Sequence, residues 1–156
     1  EPIMVDLVAG HAGYLVDKTR IFALGRLRDA ELLEAHRTAL RLQEEVAERL
    51  RPGASCSQIY SQVMEIASAS PHKAGFMGWG ENQVAFLGHG VGLELDEMPV
   101  LAARSRSTLK EGMTVAVEPK FFFGDRGGVG IENTWVVTPE GCRNLTADSS
   151  DEIVIV

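Results

Sequence analysis

The stretch that most constrains the fold runs from Thr114 to Val137, TVAVEPKFFFGDRGGVGIENTWVV. Two alternating apolar runs flank Gly124-Asp125-Arg126-Gly127-Gly128, and a glycine-rich turn between such runs predicts a β-hairpin. With the turn centred on Asp125, Glu118 and Glu132 each lie seven residues away and fall opposite one another. Directly opposed residues of an antiparallel pair share a face, with Cβ atoms about 5 Å apart. Two carboxylates held that close repel and shift each other's pKa, so the pair needs a metal ion or a shared proton.

The chain opens on the same device. Ile3–Val8 and Tyr14–Phe22 are strand-like runs joined by Gly10-His11-Ala12-Gly13, which sets Asp6 opposite Asp17 across a second hairpin. Two facing acid pairs in one small domain point to a shared carboxylate cluster.

Between the hairpins, Asp29 is placed to cap a helix running to about Leu50, ended by Pro52-Gly53. Leu32, Leu33, Ala39, Leu40, Val46, Ala47 and Leu50 form its apolar stripe. Ser55 with Gln58 makes a capping-box signature for a second helix lined by Ile59, Val63, Ile66 and Ala67. That helix stops before Pro71, and residues 71–83 read as a loop whose Phe76 and Trp79 are expected on the core. Gly88-His89-Gly90-Val91-Gly92 surrounds one histidine with glycines, which lets the backbone approach a neighbour closely. Met98 to Glu111 is expected to be an irregular connection, and Ile153 to Val156 a last strand closing the sheet.

A chain of 156 residues with 45% apolar and 24% charged residues is expected to form one domain with a real core. Its net charge of −7 argues against non-specific nucleic-acid binding, which needs a basic surface. Cys56 and Cys142 are too few and too far apart for a metal knuckle, and read as small buried residues in a reducing compartment. No apolar run approaches transmembrane length, so no membrane association is expected. Glu1-Pro2 leads straight into a strand, which reads as a cut inside a larger protein.

Asp6, Asp17, His89, Glu118 and Glu132 together are hard oxygen donors plus one imidazole. That set suits two divalent ions of the manganese, iron, cobalt or zinc type better than a sulfur-rich structural zinc site. His11, His36 and His72 match no motif and are expected at the surface.

The motifs resemble those of the pita-bread metallopeptidases, the family of prolidase, Xaa-Pro aminopeptidase and methionine aminopeptidase, with creatinase as a relative. Asp6-Leu7, Gly13-Tyr14 and Asp17-x-Thr19-Arg20-x-Phe22 are similar to the family's D-L-G…G-Y-x-x-D-x-T-R-T-F run. Gly88-His89-Gly90-Val91-Gly92-Leu93-Glu94 resembles G-H-G-V-G-L-E, Glu118-Pro119 follows Gly112-Met113 as in the family, and Gly130-Ile131-Glu132-Asn133-Thr134 resembles G-x-R-I-E-D-T. Spacings of 11, 72, 29 and 14 between successive candidate ligands fit the prolidase branch.

The resemblance implies an α+β fold, a curved and mostly antiparallel sheet with helices on its outer face, present here as a partial domain. Residues 1–156 would be the C-terminal portion of one catalytic domain, without the N-terminal part. It further implies that Asp6 chelates one metal, that His89 and Glu118 bind the other, and that Asp17 and Glu132 bridge them. Two metal ions, manganese or cobalt before zinc or iron, would share a hydroxide and polarise the scissile carbonyl. Glu118 would carry a proton toward the leaving amine. The expected activity is hydrolysis of a small peptide or amide of the Xaa-Pro type, in a cytoplasmic homodimer. The alternatives are a non-catalytic binding module of the same fold, or a creatinase- or ectoine-hydrolase-like enzyme acting on a small non-peptide C–N bond.

Two positions depart from the family pattern. Its second histidine, seven residues after the ligand, is Asp96, whose ionised carboxylate has no proton to donate to a substrate. Gly130 stands where the prolidase branch has arginine, with Asn133 replacing an acid, and the lost side chain is expected to leave room.

Overall fold

A computed structural model describes residues 1–147 and 150–156. Strands β1 (Pro2–His11) and β2 (Tyr14–Ala23) form the first hairpin, and β10 (Val154–Ile155) adds to β2 in parallel. A five-stranded antiparallel sheet has the order β4 (Glu97–Ala102), β3 (Phe86–Gly90), β5 (Thr114–Val117), β8 (Asn133–Thr138), β9 (Gly141–Asn144). A short ribbon of β6 (Lys120–Phe122) and β7 (Gly128–Gly130) completes the described strands.

Helix α1 (Ala30–Ala47) begins where Asp29 accepts hydrogen bonds from the Glu31 and Leu32 amides, satisfying donors that the first turn leaves free. It packs over β6 and β7, and buries Leu32, Ala35, Ala39, Leu42 and Val46. Helix α2 (Cys56–Ser68), capped by Ser55, lies against β4 and α1 through Cys56, Ile59, Val63 and Ala67. Phe121, Leu87, Leu101 and Ile131 fill the space between helices and sheet. Both cysteines are free, and burial pushes the Cys56 thiol up. Among the described residues no helix is long and apolar enough to cross a membrane.

The central hairpin follows the expected register in two pieces. Val117 pairs with Asn133 and Lys120 with Gly130, so both ladders are symmetric about Asp125. Between them the ladder breaks at Glu118 and Pro119, because proline has no amide hydrogen to donate. The Glu118 amide instead donates to the Leu87 carbonyl, while Glu132 exchanges backbone hydrogen bonds with Thr19 of β2. Both acids therefore sit where the hairpin hands over to neighbouring strands.

The first hairpin corrects the expected register by two residues. Its turn is the two-residue Ala12-Gly13, with φ of 51° and 86°, so His11 pairs with Tyr14, Asp6 with Thr19 and Val8 with Asp17. Positive φ at both central residues marks a turn whose twist matches the strands, and it overrides the four-residue reading. Asp6 and Asp17 are thus diagonal neighbours on one face rather than directly opposed.

Three further expectations change. The segment after Met98 is not wholly irregular, because β4 occupies its first part. His36 and His72 are buried, covered by the C-terminal segment and by Phe121 and Phe123 respectively, whereas His11 is exposed. Phe76 joins the core as expected, but Trp79 stays half exposed at the mouth of a cavity.

Candidate metal centre

Five separated segments bring the predicted residues together. His89 lies on β3, in a run whose glycines are required by the neighbouring backbones. A Cβ on Gly88 would lie 2.2 Å from the Ala116 carbonyl oxygen, and one on Gly90 would lie 2.6 Å from that of Met98. The imidazole is thereby held against β4 and β5, with Nδ1 3.1 Å from the Gly90 carbonyl and 3.3 Å from Asp96.

Three acids converge on the other ring nitrogen. His89 Nε2 is 3.6 Å from Glu118 Oε1, 3.9 Å from Asp17 Oδ2 and 4.0 Å from Glu132 Oε1. These gaps are too wide for hydrogen bonds. Ligands held about 2.1 Å from one ion lie about 3 to 3.5 Å from each other, so modest closure around a cation would bring them into range. Asp17, His89 and Glu132 are all buried and offer donor atoms within 4.8 Å of one another. Glu132 Oε1 is buried without a hydrogen-bond partner. The donor set therefore fits a divalent ion at this position.

The opposite side of the cluster holds a residue that sequence reasoning missed. Lys120 Nζ lies 2.8 Å from Glu118 Oε2, 2.9 Å from Glu132 Oε2 and 3.3 Å from Asp6 Oδ2. Thr19 Oγ1 also donates to Glu132 Oε2, at 2.8 Å. Burial works against the Lys120 ammonium, but the Glu118 and Glu132 carboxylates outweigh it and hold its pKa above the usual range. Burial pushes Glu132 up to about 7, with Lys120 opposing the rise and Glu118 adding to it. The ammonium is the firmer charge of this pair, because it serves several carboxylates while Glu132 has that one cation. Asp17 is raised by burial and then by the charge of Asp6.

The departures from the family pattern resolve differently. Gly130 leaves no spare room, since a Cβ there would lie 2.6 Å from Lys120 Cα and 2.8 Å from its Cγ. Asn133 is tied into a buried network with Arg20, Gln43, Thr146 and Asp151. Asp96 stands beside His89 with its side chain 75% exposed. A cavity of about 520 Å³ opens over the cluster, with Asp6, Glu118 and Lys120 at one end and Met77, Trp79, Phe86 and Phe122 among its walls.

The sequence profile of metallopeptidase family M24 matches residues 1–139. The chain belongs to metallopeptidase family M24. It is 32% identical over 144 residues to the Xaa-Pro dipeptidase of Pyrococcus furiosus, covering 92% of this chain and 39% of that protein. It is 31% identical over 153 residues to the Xaa-Pro dipeptidase of Lactobacillus delbrueckii subsp. lactis, covering 97% and 39%. The X-Pro aminopeptidase of Thermotoga maritima superposes with a TM-score of 0.88 at 29% identity, covering 99% of this chain and 41% of that one. The M24 chain described here thus has the pita-bread architecture, and spans about two fifths of the length of the curated relatives it matches.

Proposed function

We propose that the protein is a metal-dependent hydrolase of the Xaa-Pro peptidase type, cleaving an amide bond next to proline in a small peptide. The observation that carries this reading is the unpartnered Glu132 oxygen, which faces Asp17 and His89 beside a cavity with Met77, Trp79, Phe86 and Phe122 in its walls. Asp17, His89 and Glu132 would hold a divalent ion, with manganese or cobalt suited to so oxygen-rich a set. When bound, such an ion supplies Lewis-acid polarisation of a carbonyl and acidifies water.

The remaining work falls to the chain's own residues. Glu118 is anchored through Oε2 by Lys120, which leaves Oε1 toward His89 and available to carry a proton to the leaving amine. Phe122 and Met77 offer an apolar wall for a proline-like ring, and Trp79 borders the opening. Asp96 favours a second reading, a small non-peptide C–N substrate, because an exposed carboxylate beside His89 suits a cationic group.

The test compares proline dipeptides with small amidines and N-acetylated diamines, using the full-length protein loaded with manganese or cobalt. Proline dipeptides should be turned over, and Glu118→Gln should lower the rate by at least about 100-fold, the lower end for loss of a positioned proton carrier. Undiminished turnover by Glu118→Gln would remove its proton role. Cleavage of only the non-peptide substrates would replace the first reading by the second.

A further inference from the structure

We propose that Lys120 is a built-in cation that takes the place of one of two metal ions, leaving this chain a centre for a single divalent ion. The inference rests on reading the cluster as a hydrolytic metal site, and concerns how many ions that site accepts.

The geometry divides the cluster in two. An ammonium has three N–H donors, and those of Lys120 face three different carboxylates, from Asp6, Glu118 and Glu132, at 2.8 to 3.3 Å. Among the described residues its ion pairs reach Asp6, the acid that the family resemblance gives to the first metal alone, and not Asp17, so the ammonium lies toward that metal's side, between Asp6 and the outer oxygens of Glu118 and Glu132. A divalent ion bound by the same oxygens would sit within a few Å of a full positive charge. It would have to displace the lysine.

Displacement is opposed by the packing of the stem. Lys120 pairs directly with Gly130 across β6 and β7, and is itself buried. The absent side chain at position 130 is the space that the stem of Lys120 fills, as the 2.8 Å approach of a Gly130 Cβ to its Cγ shows.

The other half remains ready for an ion. Glu132 gives Oε2 to Lys120 and Thr19, while its Oε1 is buried, unpartnered and turned to His89. One carboxylate therefore joins an ammonium to the Asp17 and His89 donors, where in a dinuclear centre it would bridge two metals. Charge agrees with this division. Four carboxylates against one ammonium and one divalent ion leave a single negative charge, so one ion with Lys120 in place already offsets most of the acids' mutual repulsion.

The test is metal content per chain, by elemental analysis after equilibration with manganese and desalting, with the electron paramagnetic resonance spectrum of the bound Mn²⁺. It is made on the full-length protein. The parent should carry about one ion per chain with an isolated-ion spectrum, and Lys120→Arg should keep one. Lys120→Met, shown to be folded by circular dichroism, should rise to about two ions with spin coupling between them. Two coupled ions in the parent, no ion in the parent, or one ion in folded Lys120→Met would each overturn the proposal. If Lys120→Met does not fold, the parent's stoichiometry and spectrum still decide. One ion without cleavage of proline dipeptides would sink the proposed activity and leave the single-ion centre standing; two ions with cleavage would do the reverse.

Discussion

The two acid-bearing hairpins supply the same chemistry under opposite conditions. In the central one, Glu132 is 1% exposed and both strands lie beneath α1 or within the five-stranded sheet. In the first, β2 is mostly buried while β1 is mostly exposed, and the Asp6 side chain is 55% open. Burial fixes a ligand by surrounding it with partners that have no solvent to turn to. Exposure leaves a carboxylate to be positioned by its one ion pair. The cluster is therefore a rigid half, Asp17, His89 and Glu132, joined through Lys120 to a looser acid at the cavity's edge.

The sharpest way to break that comparison is to neutralise one acid from each half. Removing a residue that merely orients a metal ligand lowers metal affinity by about 10- to 100-fold, so Glu132→Gln should exceed about 100-fold. Asp6→Asn should weaken the same affinity by less than about 10-fold, since its carboxylate faces the ammonium rather than the Asp17, His89 and Glu132 donors. Manganese titration by calorimetry compares the two directly. Equal losses would mean that Asp6 is as much a ligand of the bound ion as Glu132.

How far these halves were legible depended on local chemistry. The central register could be read because its turn is symmetric about Asp125 and both ladders keep that symmetry. The first hairpin differs from its expected register by two residues because Ala12, a non-glycine residue, takes the positive φ that gives a two-residue turn. A slip of two preserves side-chain alternation, so Asp6 and Asp17 still came out on one face. Lys120 was not legible, because a lysine two residues from a candidate ligand reads as a solvated charge. Only tertiary closure brings Asp6 to it, 114 residues away in sequence. The surroundings of Gly130 are hidden for the same reason, since nothing local shows what fills the space beside a glycine. The burial of His36 also had no local signal, because its cover comes from Asp151 and neighbouring C-terminal residues.

His36 gives the comparison a pH dependence. Its Nε2 lies 2.9 Å from the Asp151 carbonyl, just before β10, and β10 is the strand that borders the first hairpin. Burial lowers its pKa below the usual 6.5, against smaller opposing effects from Asp151 and Glu152. The unfolded chain then binds a proton first as pH falls. The stabilisation from this group is complete above about 6.5 and is lost as pH drops toward the folded value. Metal-free protein should lose amide protection in β10 and β2 between pH 7 and 5 before β5 and β8 respond. His36→Gln should flatten that trend. Loss of protection in all four strands together would show that the two halves unfold as one unit.

The smallest effects test the turns themselves. Ala12 takes φ of 51° in the first hairpin, and Gly127 takes φ of 88° where the central turn closes. A Cβ at the φ of Ala12 costs about 1–2 kcal/mol, and asparagine tolerates it better than alanine because its short polar side chain bonds locally; Gly127, with ψ of −157°, lies in a region essentially confined to glycine. Ala12→Asn should therefore stabilise by about 0.5 kcal/mol, while Gly127→Ala should destabilise by about 1–3 kcal/mol. Space does not decide the second case, since a Cβ on Gly127 would meet Pro2 Cγ at an ordinary 3.7 Å. Urea midpoints at constant m-value measure both changes. Opposite signs would show that the two hairpins obey one backbone rule and differ only in how well the sequence meets it. A destabilising Ala12→Asn would mean instead that the exposed hairpin's register is set by the packing of β2 against β8, with the turn following.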